Sequence, residues 1–275
     1  MQGVDFSKSN DWNGKNSFGG KSLHELNPNG ELNPYQEAII AVASSMKDLI
    51  DSGVIRAFGF GDIRSQDRYL ISLNPKDRDG KCNGLEDVMQ KYKSILPTLT
   101  LAGPTSFAPI IRKAIEICLI TQSYQILLLL ADGQITSEKE TAEALVEASK
   151  VPLSIIMVGI GDGPWQLMNE FDDRLPDREF DNFNFVTFSE IRKEFSAAAF
   201  ALAALMEIPE QFRYIKANML THGHYKKLPI RPVTVLGPEF LSKSLKKKRK
   251  TQLMKFEGIT TLSGNQMISS DQEIE

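Results

Sequence analysis

Apolar positions along the chain fall into two kinds of block that alternate. Runs at 54–61, 124–131, 152–159 and 183–188 are short and nearly unbroken, the pattern of strands, the longest apolar ones buried on both faces. A shorter piece, Gly3-Val4-Asp5, reads as the tail of another strand. Between these runs the apolar residues recur at helical spacing. Over 35–51 they are Ile39, Ile40, Val42, Ala43, Met46, Leu49 and Ile50, which predicts a helix starting at Asn33-Pro34 and stopping at Gly53. Further helices are predicted over 84–96, 107–121, 137–150, 164–171 and 189–206, the last stopping near Pro209. Residues 68–73 predict a hairpin partner for 54–61, and the polar, glycine-rich 10–33 reads as a long loop.

Strands separated by helices imply an α/β fold: a doubly wound, mostly parallel sheet with helices on both faces and one antiparallel edge strand. Right-handed crossovers place the carboxyl ends of parallel strands along one rim, where ligands of open α/β sheets bind. Asp5 and Asp132 both stand at such ends. The pattern predicts a domain over 1–208. Residues 209–275 read as an extension without its own core, partly disordered: 228–238 carries three prolines, 243–250 is strongly basic, and the terminus is polar and acidic.

Composition removes several classes of function. Two cysteines, Cys82 and Cys118, lie far apart, which argues against a disulfide framework and for a reducing compartment. Together with three histidines they cannot build a cross-braced zinc platform, which needs about eight ligands. A net charge of -3 offers no basic field for specific nucleic acid. No apolar run approaches the ~20 residues of a membrane-spanning helix, and Met1-Gln2-Gly3 does not open a secretory signal. The expected location is cytoplasmic, with a nuclear alternative.

The candidate chemistry lies in three separated segments. Asp5-Phe6-Ser7-Lys8-Ser9 reads D-x-S-x-S, Gly103-Pro104-Thr105-Ser106 offers a hydroxyl in a tight turn, and Asp132-Gly133 closes the apolar run 126–131. Hydroxyl and carboxylate oxygens are hard ligands, suited to Mg²⁺ or Mn²⁺. Lys8 reads either as a solvated side chain or as an attraction for an acidic partner. Asp62 and Asp162 read as turn caps or as parts of a partner-binding rim, and Phe107 and Trp165 as packing or as interface anchors. The acidic residues between 170 and 181 lack a calcium-loop pattern and read as a solvated loop. Lys246, Lys247, Lys248, Arg249 and Lys250 form one strong basic run, read as a solvated tail, a nuclear import signal, or a contact for anionic lipid or RNA. There is no phosphate-binding G-x-x-x-x-G-K-S/T loop and no evident general base beside the three segments, so no enzyme activity is expected.

The D-x-S-x-S sequence, the distant turn threonine and the strand-ending Asp-Gly resemble the metal-ion-dependent adhesion site of von Willebrand factor A domains. Gly103 to Ile110 (GPTSFAPI), Ala131 to Thr136 (ADGQIT) and Pro152 to Gly159 (PLSIIMVG) resemble the copine branch, as do Asn33-Pro34-Tyr35 and Gly59-Phe60-Gly61. Gly161-Asp162-Gly163-Pro164-Trp165 and the stretch 171–183 look most like the copine domain of plant-type RING ubiquitin ligases. The resemblance covers roughly residues 3–208 and implies a metal site of Asp5, Ser7, Ser9, Thr105 and Asp132, completed by an exposed Asp or Glu of a partner protein. It also implies a first strand beginning further upstream, so that strand is expected to be truncated here. Divalent-cation-dependent protein binding is the expected function. The alternatives are substrate recruitment for a separate RING ligase, or a fragment of a calcium- and phospholipid-associated copine, with membrane contact through the basic tail or through domains outside this chain.

Overall fold

A computed structural model describes residues 1–46, 53–189 and 197–237. Its strands are β1 (Gln2–Asp5), β2 (Val54–Phe60), β3 (Leu70–Ser72), β4 (Lys81–Asn83), β5 (Gln125–Ala131), β6 (Leu153–Gly159), β7 (Phe183–Thr187) and β8 (Val235–Leu236). They form one sheet in the order β7-β6-β5-β1-β2-β3-β8, with β4 also paired to β2. The helices are α1 (Pro34–Ser45), α2 (Gly84–Ile95), α3 (Ala108–Thr121), α4 (Glu138–Ala148), α5 (Gln166–Asp173), α6 (Ala197–Leu205) and α7 (Ile208–Ile215).

The five strands from β7 through β6, β5 and β1 to β2 are parallel. β1 is central although only four residues long: Val4 pairs with Gly59 on one side and Leu130 on the other. β3 is the antiparallel partner expected for β2, and β4 continues that pairing beyond an inserted loop. Leu73 N–H donates to Ala57 O and Ala57 N–H donates to Gly80 O, so both lie on the same side of β2. β8 then runs parallel to β3, outside it.

Alternation along the strands divides the core. Leu127, Leu129, Ala131, Ile155 and Met157 share a cluster with Ile110, Ile111 and Ala114 of α3 and with Ala144 and Leu145 of α4. The intervening Leu128, Leu130, Ile156 and Val158 are equally buried and face the other way. α1 and α6 pack together, and Asn184 of β7 donates to Ala203 O and Ala204 O of α6 at 3.0 and 3.1 Å. The start of α1 follows from sequence. The Asn33 side chain accepts from Gln36 N–H, Gln36 returns the bond to Asn33 N–H, and Pro34 needs no donor in the first turn.

The compact unit extends past residue 208, to Leu236. Pro209 does not simply end a helix; it lies in the first turn of α7, where its missing N–H costs nothing. Phe212 of α7 meets Tyr124 and Tyr214 stacks on Phe180, residues that precede β5 and β7, so α7 covers the amino-terminal rim of the sheet. Glu116 of α3 accepts from Val233 N–H at 2.8 Å and guides the chain into β8. The basic run 246–250 lies outside the described residues.

Candidate metal centre

The carboxyl ends of β1, β2, β5 and β6 share the opposite rim, and three loops converge above β1. Ser7 forms a parallel bridge with Ala102, and Lys8 N–H donates to Ala102 O at 2.7 Å, which brings the 103–106 turn beside the D-x-S-x-S segment. The same turn is clipped to the loop after Asp132. Thr105 N–H donates to Thr136 Oγ1, and Thr136 N–H returns the bond to Thr105 O, each at 2.9 Å. Asp5, Ser7, Ser9, Thr105 and Asp132 are all buried.

Asp5 organises the first segment. Its Oδ1 accepts from Ser7 N–H at 2.8 Å and its Oδ2 from Ser7 Oγ at 2.9 Å, and Ser7 Oγ lies 3.0 Å from Ser9 Oγ. A single 3-10 turn over Lys8–Asp11 follows, where a plain loop was expected. On the neighbouring strand, Asp132 Oδ1 accepts from Gln134 N–H at 3.1 Å, while its Oδ2 is buried with no hydrogen-bond partner. Burial first, and then the nearby Asp132 carboxylate, push Asp5 well above the ordinary carboxylate range; burial likewise raises Asp132. Two buried acids therefore stand near each other, short of positive charge. Among the described residues no three His, Cys, Asp or Glu side chains gather around a metal position. A cation here needs the hydroxyls as well as the two carboxylates, a donor set that fits a hard divalent ion.

The 10–33 loop supplies supports that sequence reasoning missed. Asn10 donates to both Ser7 O and Ser7 Oγ at 3.2 Å and accepts the Tyr35 hydroxyl proton at 2.7 Å. Asn13 donates to Asp132 O at 3.0 Å and its own carbonyl accepts from Asp162 N–H at 2.7 Å. Gly161 makes that approach possible: its φ is +110°, and a Cβ there would lie 2.4 Å from Asn13 O. His24 lies beneath Asp5, its ring stacked on Tyr35 with centroids 4.0 Å apart. Its Nε2 is 2.7 Å from Asp5 O, an acceptor only, so Nε2 carries the proton and Nδ1 accepts from Tyr92 Oη at 2.7 Å. Burial lowers the His24 pKa to about 3, consistent with that neutral tautomer. The signals in sequence were slight: two asparagines and a lone histidine in a polar loop.

The expected rim residues separate. Lys8 is exposed and paired with Asp11. Asp62 is fully buried and is not a rim contact; its carboxylate accepts from Ser65 N–H at 2.8 Å and from Arg64 Nε at 2.6 Å. Phe107 is also fully buried, edge-on to Phe60 at 5.8 Å, because it ends the loop that drops into the α3 face. Asp162 receives the Asn16 and Ser17 N–H groups at 2.7 and 2.9 Å. Burial works against ionisation of Asp162, but the hydrogen bonds from Ser17 and Asn16 outweigh it and lower its pKa. Trp165 is half-buried against Phe185, over Gly133 and Gly159; a Cβ on Gly133 would meet its ring at 2.5 Å. Trp165 thus packs the turn after Asp132.

Comparison with known proteins follows the same region. The Copine family model matches residues 22–223. The chain is 46% identical over 239 residues to E3 ubiquitin-protein ligase RGLG2 of Arabidopsis thaliana, covering 79% of this chain and 50% of that protein. It is 42% identical over 258 residues to E3 ubiquitin-protein ligase RGLG3 of Arabidopsis thaliana, covering 85% and 69%. Against Copine family protein 2 of Caenorhabditis elegans it is 46% identical over 227 residues, covering 80% of this chain and 3% of that one. The chain thus spans about half the length of the first of these relatives and far less of the last. Among solved structures, manganese-loaded TRAP protein of Plasmodium vivax aligns with a TM-score of 0.42 and 14% identity, over 71% of this chain and 70% of that one. On its match across residues 22–223 and its identity to these relatives, the chain belongs to the copine family.

Proposed function

We propose that this domain is a divalent-cation-dependent protein-binding module. Asp5, Ser7, Ser9, Thr105 and Asp132 would hold Mg²⁺ or Mn²⁺, and an exposed Asp or Glu of a partner protein would complete the coordination. The observation that carries the reading is the buried Oδ2 of Asp132, which accepts no hydrogen bond, beside the equally buried carboxylate of Asp5. Two carboxylates crowded together without a counter-charge are costly, and a divalent ion offsets both.

When bound, the cation supplies a Lewis-acidic position open to an outside carboxylate. The chain's residues do the rest. Asp5 fixes the Ser7 hydroxyl, Ser7 lies against the Ser9 hydroxyl, and Asn10 holds Ser7 from behind. The clip between Thr105 and Thr136 sets the third segment. Thr105→Ala removes the hydroxyl together with one methyl group of a buried side chain, so cooperative melting of the variant is measured beside binding. Binding of an acidic partner peptide should require Mg²⁺ or Mn²⁺ and be lost in Thr105→Ala. Full binding in excess chelator refutes the reading.

A second reading has a specific support: relatives of this chain are named E3 ubiquitin-protein ligases. On that reading the domain recruits substrates to a RING carried elsewhere, since two cysteines and three histidines cannot hold the zinc platform themselves. It uses the same mouth. Ubiquitination with this chain as the sole ligase should give no product, and addition of a separate RING subunit should restore transfer to a partner bound at the mouth.

A further inference from the structure

Two cavities open side by side between the 10–33 loop, the start of α1 and the turn after α2. The first, about 360 Å³, is walled by Phe18, Glu25, Glu31, Leu32, Pro34 and Glu37. The second, about 250 Å³, is walled by His24, Leu96, Leu99 and Leu101. Ser22 and Glu25 line both, so the two chambers adjoin as one groove. None of Asp5, Ser7, Ser9, Thr105 and Asp132 lines either chamber. Local bonds hold the walls. Leu23 is fully buried and Glu25 N–H donates to Ser22 O at 2.9 Å, which makes this turn the ridge between the chambers. Glu31 accepts from the Asn27 side chain, and Pro34 and Glu37 belong to the capped first turn of α1. Leu99 N–H donates to Leu96 O at 3.1 Å, and Leu101 is bridged to Asp62.

The chambers differ in chemistry. Around the first, three carboxylates, Glu25, Glu31 and Glu37, stand against one ammonium, Lys21, which lies 3.7 Å from Glu25. That excess repels an acidic occupant and attracts a cationic one. Phe18, Leu32 and Pro34 add apolar surface beside the carboxylates. Lysine and arginine use such surroundings, laying the methylene stem on apolar surface while the charged head stays among polar groups. The second chamber has no charge beyond Glu25. Three leucines wall it, and both ring nitrogens of His24 are already bonded, to Asp5 O and Tyr92 Oη. It suits an aliphatic side chain.

We propose that this groove docks an extended segment of a partner protein that presents a basic and an aliphatic side chain on one face, the basic one among the carboxylates and the aliphatic one against the leucines. The site goes beyond the cation mouth and needs no metal. One groove requires both side chains on the same face, and in an extended chain alternate residues share a face. The walls are held by bonds within the domain, so docking orders few groups on this side. Exposed ion pairs contribute little in water. The leucine chamber therefore supplies most of the affinity, and the carboxylates decide for a cationic over a neutral side chain.

The test uses fluorescein-labelled peptides and fluorescence anisotropy on the full chain, in excess EDTA and in millimolar Mg²⁺. The probes are Ser-Leu-Ser-Arg-Ser-Leu-Ser, Ser-Leu-Ser-Gln-Ser-Leu-Ser and Ser-Ser-Ser-Arg-Ser-Ser-Ser. The first should bind about fivefold more tightly than the Gln peptide and about tenfold more tightly than the leucine-free one, equally in both buffers. Glu25→Gln combined with Glu31→Gln should erase the preference for Arg over Gln. Leu96→Ser should erode the preference for leucine, with cooperative melting confirming that both variants fold. Absence of binding at millimolar peptide, or preferences that persist in these variants, overturns the groove. Binding in Mg²⁺ alone assigns the peptide to the mouth and also overturns it. Neither result touches the cation reading, whose own test is an acidic partner in chelator.

Discussion

The imidazole of His24 donates its Nε2 proton to the main-chain oxygen of Asp5 across 2.7 Å, at the end of β1. The bond fixes the end of β1 without consuming either carboxylate oxygen, so the side chain of Asp5 remains free to orient Ser7. Tyr92 completes the link on the far side of the ring.

Replacing His24 with Phe keeps an aromatic ring, somewhat larger than imidazole, and removes both hydrogen bonds. The Asp5 carbonyl and the Tyr92 hydroxyl then lose a buried partner, at a cost of about 1–3 kcal/mol each. Thermal melting should show a fall of several degrees in chelator. Cation affinity should weaken as well, because the support of β1 is loosened. A melting temperature equal to wild type removes His24 from this role.

Asp132→Asn separates the two functions of that residue. Without metal, removing one of two crowded buried acids should leave stability equal or higher. With metal, wild type should gain about 2.7 kcal/mol at a cation concentration 100 times its dissociation constant, and the variant should gain almost nothing. A thermal-shift series in EDTA and in Mg²⁺ reads both signs. An equal Mg²⁺ gain in the variant counts against Asp132 as a ligand.

Asp172 in α5 gives a pH dependence away from the mouth. Burial first, and then the Glu207 carboxylate, raise its pKa to about 7. A raised acid favours the folded state most when protonated, so its contribution is full below pH ~4 and is lost as pH rises through about 7. Asp172→Asn should therefore melt above wild type at pH 8 and match it near pH 4. Since the group is part-exposed, a difference of a few degrees is expected. Identical melting curves at pH 8 would show that the folded state does not resist ionisation of Asp172.

Gly161→Ala should be among the most damaging single-methyl additions. Its φ of +110° is strained for any side chain, and the new Cβ would meet Asn13 O at 2.4 Å. The expected cost is about 1–3 kcal/mol. Because Asn13 also holds Asp132 O, cation-induced stabilisation should fall with it. Chemical denaturation with and without Mg²⁺ checks both effects; an unaltered midpoint contradicts the geometry.

What could be read from sequence divides along physical lines. The long apolar strands β5 and β6 announce themselves because both faces are buried, and α1 because its capping residues stand at its first turn. β4 and β8 are three and two residues long and carry no periodicity of their own; tertiary pairing alone makes them strands. Pro209 was expected to mark an end because proline interrupts helices, yet the same chemistry suits a first turn. The five oxygen-bearing residues were legible as a motif, and the structure brings their three segments to one rim. Their supports were not, since nothing local in Asn10, Asn13 or His24 says which strand end each will reach. Asp62 stayed open between turn cap and rim, and Phe107 between packing and interface anchor, because position relative to a strand end does not report depth; the structure makes one a cap and the other core.

The late return of the chain into the sheet determines where the protein can be cut. Ile215, Met219 and Tyr225 sit in the same apolar cluster as α3 and β5, and β8 closes the side of β3 that would otherwise present open main-chain groups. Dissection at residue 208, where the apolar periodicity fades, would unroof that cluster and leave a sticky strand edge. A fragment ending after Leu236 keeps both covered, and is the shorter piece on which the binding experiments should be run.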